Sequence, residues 1–63
     1  MKLFEGYTGE GRRVEISLED GQIWITDTES GEKELYNDGY YTEDDTCALA
    51  SVKASMIMEG YRL

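Results

Sequence analysis

The sequence predicts an α+β fold: an antiparallel meander of three or four strands with one C-terminal helix packed across it. Three observations predict it. Asp20-Gly21 sits between two segments whose apolar residues alternate, further turn signals follow at short intervals, and a long proline-free stretch closes the chain. Connections this short suit antiparallel pairs, because a parallel crossover needs about a dozen residues or more.

Lys2–Tyr7 reads as the opening strand, ended by Thr8-Gly9-Glu10-Gly11, and residues 12–18 read as the second. Asp20-Gly21 is the stronger turn signal, since both central positions of a type I′ turn need positive φ. With that dipeptide at the tip, Leu18 faces Ile23, Ser17 faces Trp24, Ile16 faces Ile25 and Glu15 faces Thr26. Leu18, Ile16, Ile23 and Ile25 then share one face, continued by Val14. Register and alternation agree. Glu29-Ser30-Gly31 reads as another turn, and residues 32–36 as a short fourth strand or an irregular edge. Lys33 and the carboxylates around it would protect such an edge from pairing. Asn37-Asp38-Gly39 breaks the chain before Tyr40 and Tyr41.

Thr42 reads as a helix N-cap, with Glu43, Asp44 and Asp45 complementing the positive end of the helix dipole. The helix is expected over residues 43–59, with Gly60 at C′. It carries two apolar stripes. Cys47, Ala50, Ala54, Ile57 and Tyr61 form one, with Met58 alongside, and their small members suit close approach to a sheet. Leu49, Val52 and Met56 form the other. Either the core wraps wide and takes in both stripes, or the first docks and Leu49, Val52 and Met56 are left as a dimer interface.

Sixty-three residues make a single small domain, 1–63. A chain of this length buries only about 60% of the surface its unfolded form exposes. Its core is expected to supply no more than roughly 3–5 kcal/mol unless a disulfide, metal or partner adds to it. Cys47 is alone and histidine is absent, so neither an intrachain disulfide nor a zinc site is expected. Association with another chain gains weight accordingly. Met1-Lys2-Leu3-Phe4-Glu5 has no apolar signal-peptide run, and no segment reaches membrane-spanning length. A lone cysteine fits a reducing compartment, here the cytoplasm of a host cell. With 40% hydrophobic residues, five Tyr and one Trp, a folded domain is expected over a disordered acidic tail.

Charge is the feature that bears on function. The net charge is −8, yet residues 15–45 alone hold eleven carboxylates against the single cation Lys33. Such a field attracts basic surfaces and opposes nucleic acid and anionic membranes. Catalysis finds little support, because without histidine no Ser-His or Cys-His dyad can form. Cys47, on an apolar stripe, reads as a small buried hydrophobe. The carboxylates read as solvated or partner-facing, since tuning them for acid–base work needs burial this chain can scarcely provide. Asp27-x-Glu29-x-Gly31 has the rhythm of a calcium loop, but its glycine stands at the fifth place and no helix precedes it. The glycines before Arg12-Arg13 lead into a strand, not into a phosphate-binding helix. No catalytic residue, metal or cofactor is expected.

The expected partner-binding set is Trp24, Asp27, Glu29, Glu32, Glu34, Tyr36, Asp38, Tyr40 and Tyr41. Aromatic side chains anchor an interface while carboxylates steer a basic partner to it. The alternative is that Trp24 and one or two Tyr merely complete the core. Carboxylates two residues apart on a strand lie about 6.6 Å apart on one face. Asp27 with Glu29, and Glu32 with Glu34, have that spacing, a loose imitation of phosphate rows. Similar βββα and ββββα units serve as basic DNA-binding modules, but this chain has the opposite sign. In general character, a tiny, acidic, cysteine-poor domain resembles the anti-restriction and anti-CRISPR inhibitors of phages. The resemblance implies a non-enzymatic inhibitor that meets the basic, nucleic-acid-binding surface of another protein. The alternative is a structural or assembly module that homodimerises through its helix.

Overall fold

The computed structural model describes residues 1–63. It contains β1 (Lys2–Tyr7), β2 (Arg13–Glu19), β3 (Gln22–Asp27), β4 (Lys33–Asn37) and α1 (Thr46–Met58). The sheet order is β1-β2-β3-β4 and each neighbouring pair is antiparallel, so the protein is an open four-stranded meander followed by one helix. The α+β fold expected from the sequence is the fold found.

The central hairpin has the predicted register, with Leu18 opposite Ile23, Ser17 opposite Trp24, Ile16 opposite Ile25 and Glu15 opposite Thr26. Asp20 (φ +51°) and Gly21 (φ +79°) both occupy the left-handed region that a type I′ turn requires. β4 is a short edge strand with an irregularity: its pairing with β3 slips by one residue, leaving Tyr36 unpaired between Leu35 and Asn37.

One face of the sheet carries the core. Val14, Ile16, Leu18, Ile23 and Ile25 are covered by Val52 and Met56 of α1, with Leu3, Phe4, Tyr36, Tyr41, Leu49, Tyr61 and Leu63 packed around them. This overturns the expected assignment of the helix stripes. Met56 is fully buried, Val52 nearly so and Leu49 half-buried, so these residues belong to the intrachain core and offer no dimer interface. Cys47, Ala50, Ala54 and Ile57 face solvent instead. Leu49, Val52 and Met56 bring three bulky side chains to one line over the sheet, whereas along the helix the other stripe has only Ile57 beside Cys47 and two Ala. Its last member, Tyr61, lies beyond the helix and packs on the core. Cys47 is therefore exposed and is no buried hydrophobe.

The helix also starts later than expected. Asp45 is the N-cap, its Oδ1 accepting the Ala48 amide at 3.3 Å. Thr42 closes a preceding turn through its carbonyl, which accepts the Asp45 amide at 3.1 Å. Glu43 and Asp44 thus lie outside the helix. At the other end Gly60 (φ +111°) is the C′ residue as predicted. The amides of Gly60 and Tyr61 donate to the carbonyls of Ile57 and Met56, completing a Schellman motif. The tail then returns to β1, where Tyr7 and Arg62 exchange backbone hydrogen bonds of 2.9 and 2.7 Å. β4 is left as the unpaired edge of the sheet. No helix is long and apolar enough to cross a membrane.

Candidate acidic interaction surface

The ion pairs divide the carboxylates into those that meet a cation and those that do not. Lys2 pairs with Glu5 and Glu15, Arg13 with Glu5, Arg12 with Asp27, and Lys33 with Glu19. Four of the six cations are thereby committed to four of the fourteen carboxylates, and the other ten carboxylates form no salt bridge. Most of this pairing lies on the helix-free face, where the register sets Glu5 beside Glu15 and Tyr7 beside Arg13. Hydrogen bonding from Arg13 and then Lys2 holds the Glu5 carboxyl below its ordinary value, and Lys33 does the same for Glu19.

Trp24 stands on that helix-free face, opposite Ile23 and Ile25. It is half-buried and not bare, because Lys33 Nζ sits 4.9 Å from its ring centroid while also reaching Glu19 at 2.6 Å. The lysine over the indole was not anticipated from sequence. Its signal is the pairing of Thr26 with Lys33, which brings β4 alongside Trp24.

Asp27 is engaged on both oxygens. Oδ2 accepts from Arg12 Nε at 2.6 Å, and Oδ1 accepts the amides of Glu29 (2.9 Å) and Ser30 (3.3 Å). The Arg12 hydrogen bond, followed by the two turn amides, keeps its carboxyl below the usual carboxylate range. Asp27 ends β3 and Glu29 lies in the turn, where its Oε2 accepts the Arg13 amide at 3.3 Å. The expected phosphate-like pair of Asp27 and Glu29 on one strand is thus absent. Asp27 builds the β3–β4 turn.

Glu32 and Glu34 keep the expected relationship. Both are exposed, neither has an ion-pair partner, and they flank Lys33 at the start of the edge strand. With Asp27 behind them they line one open cleft, shared with Thr8 and Tyr61. Neither Thr8 nor Tyr61 was expected there, since Tyr61 arrives through the returning tail. Burial, with Glu34 and Glu59 nearby, pushes the Tyr61 hydroxyl up.

The tyrosines divide as well. Tyr36 donates to Glu59 Oε2 at 2.6 Å, and Tyr41 accepts from Asn37 Nδ2 at 3.0 Å while its amide donates to the Gly21 carbonyl at 2.9 Å. Both are half-buried against the core and serve the fold. Tyr40 is 90% exposed, and Asp38 is exposed without an ion pair. Asp38 lies six positions beyond Glu32, about 20 Å of extended chain. The nine residues therefore form no single patch: Glu32 and Glu34 stand at one end of β4, Asp38 and Tyr40 at the other, and Trp24 on the opposite sheet face.

No three of the Asp, Glu and Cys side chains come together in a way that could hold a metal ion. Comparison with protein-family models, with curated proteins and with solved structures found no match to this chain.

Proposed function

We propose that the protein is a non-enzymatic acidic binding protein that engages a basic, nucleic-acid-binding surface on a partner protein. The observation that carries this reading is the set of ten carboxylates without salt bridges, with Glu32 and Glu34 side by side on the unpaired sheet edge. Charges that the fold leaves uncompensated steer an oppositely charged partner more than they stabilise their own chain. Inhibitors of the DNA-mimic type, among them phage anti-restriction and anti-CRISPR proteins, work on this principle. The cytoplasm of a host cell suits both such a target and an exposed, unpaired Cys47. An assembly role is the second reading, favoured by the uncharged outer face of α1.

Capture from an extract of the native host, at about 50 mM salt and at several-fold higher salt, tests the proposal. The expected partner is a basic protein whose DNA or RNA competes with this chain. Glu32→Lys with Glu34→Lys is expected to slow association, and added salt to act in the same direction. Binding indifferent to both salt and charge reversal would count against the reading. A complex of this chain with DNA itself in a gel shift at physiological salt would do so too.

A further inference from the structure

Helix α1 turns Leu49, Val52 and Met56 onto the sheet. At about 100° per residue, Cys47, Ala50, Ser51, Ala54, Ile57 and Met58 fall on the outward half of its circumference, and all six are exposed. None of them is charged. Lys53 is the helix's one charged residue, in a chain whose residues are 32% charged. A surface helix ordinarily turns its charges to water. This one presents Ile57 (48% exposed) and Met58 (87% exposed) instead.

The charge distribution selects what covers this face. Two copies of a −8 chain repel one another, and repulsion is weakest where both present no carboxylate. A basic partner, by contrast, finds nothing here to recognise. The stripe is also self-complementary. In an antiparallel pair with its two-fold axis at Val52, Cys47 faces the partner's Ile57, and Ala50 faces the partner's Ala54. Bulk meets small where Ile57 meets Cys47, and the two facing alanines let the backbones approach. Antiparallel pairing also sets the helix dipoles in opposition and keeps the two Asp44-Asp45 segments apart. We infer that the outer face of α1 is a homodimer interface, formed by antiparallel packing of Cys47, Ala50, Ala54, Ile57 and Met58 against a second copy.

The contact is one helix wide and about 20 Å long, at the small end of specific interfaces, so dissociation in the micromolar range is expected. Sedimentation equilibrium on the purified chain alone, from about 1 to 500 µM, is expected to show monomer giving way to dimer. Ala54→Glu and Met58→Glu, at exposed positions, are each expected to raise Kd at least about tenfold with far-UV circular dichroism unchanged. Met58 is exposed enough to keep the experiment readable even if the Ala54 variant folds poorly. An Ile57→Cys chain is expected to form an intermolecular disulfide with Cys47 on oxidation. The wild-type chain is expected to form none, because antiparallel pairing holds the two Cys47 about 15 Å apart along the axis. A wild-type chain monomeric throughout, a dimer indifferent to both charged substitutions, or ready Cys47–Cys47 crosslinking would overturn the inference. No basic partner enters this experiment, so its outcome is independent of the binding function proposed above; it deepens only the assembly reading, which rests on the same helix face.

Discussion

Tyr36, the unpaired residue of β4, donates its hydroxyl to Glu59 at 2.6 Å and ties the sheet edge to the C-cap of α1. The Glu59 carboxylate first, and burial second, push the Tyr36 hydroxyl up to about 12 from an ordinary 10.0. Because the folded value is raised, the bond's contribution is fully present below pH 10 and is lost as pH rises through about 12. Tyr36→Phe is expected to cost about 1 kcal/mol, which for a domain this small lowers Tm by roughly 4–8 °C. The variant is also expected to lose less stability than the wild type between pH 10 and about 12. Tyr61 titrates late too, so the comparison of variant with wild type, followed by thermal melts across that window, isolates Tyr36. Identical alkaline limbs would exclude the role given to this bond.

Gly6 on β1 lies beneath the returning tail. A Cβ there would overlap the Arg62 carbonyl oxygen and sit 2.8 Å from the Leu63 Cα. Gly6→Ala is therefore expected to push the tail off β1 and break the two Tyr7–Arg62 hydrogen bonds, at a cost of roughly 1–3 kcal/mol. Urea unfolding measures the cost. Faster exchange of the Tyr7 and Arg62 amides, with the Leu18 and Ile23 amides still protected, would locate it at the tail. Unchanged exchange at Tyr7 would contradict the assignment.

Asp27 is expected to behave unlike Glu32 and Glu34, although the three line one cleft. Its carboxyl is depressed by Arg12 and by the amides of Glu29 and Ser30. A depressed folded value means stability that is present above the ordinary 3.8 and is lost as pH falls through the folded value. Asp27→Asn is expected to lower Tm at neutral pH and to flatten the acid limb of the stability curve. Glu32→Gln is expected to leave both unchanged, since that side chain holds nothing in the fold. Thermal melts from pH 2 to 7 on the three chains decide the matter.

Local signals were legible in the sequence where chemistry near in the chain fixed the geometry. Asp20-Gly21 admits one kind of hairpin, so the register from Glu15 to Thr26 followed from it. Gly60 likewise marked the end of α1. Legibility failed where distant packing decided the outcome. Thr42 alone reads as the cap in the sequence; in the fold the Tyr41–Gly21 hydrogen bond fixes the chain just ahead of Thr42, and Asp45 begins the helix. The two helix stripes were both plausible by period, and only the area over Ile16 and Ile23 separated them. Among the site residues, Asp27, Tyr36 and Tyr41 bear side chains suited to binding. Their structural roles depend on Arg12, Glu59 and Gly21, partners that become neighbours only in the folded chain.

Met56 and Met58 give the sharpest contrast along α1, two residues apart on opposite sides of the helix. Met56 is fully buried among the isoleucines, whereas Met58 is 87% exposed. Met56→Ala removes its apolar area and leaves a cavity, at a cost of roughly 2–5 kcal/mol. That is comparable with the most that so small a core supplies, about 3–5 kcal/mol. Met58→Ala is expected to fall within about 0.5 kcal/mol of the wild type when measured on dilute, monomeric protein. Leu49→Asp with Met56→Asp sets an unpaired charge in the core and is expected to unfold the chain outright. Chemical denaturation followed by Trp24 fluorescence measures the alanine variants, and circular dichroism reports the aspartate pair. A folded monomer from the aspartate pair would return Leu49, Val52 and Met56 to the surface and reverse the orientation of α1 described here.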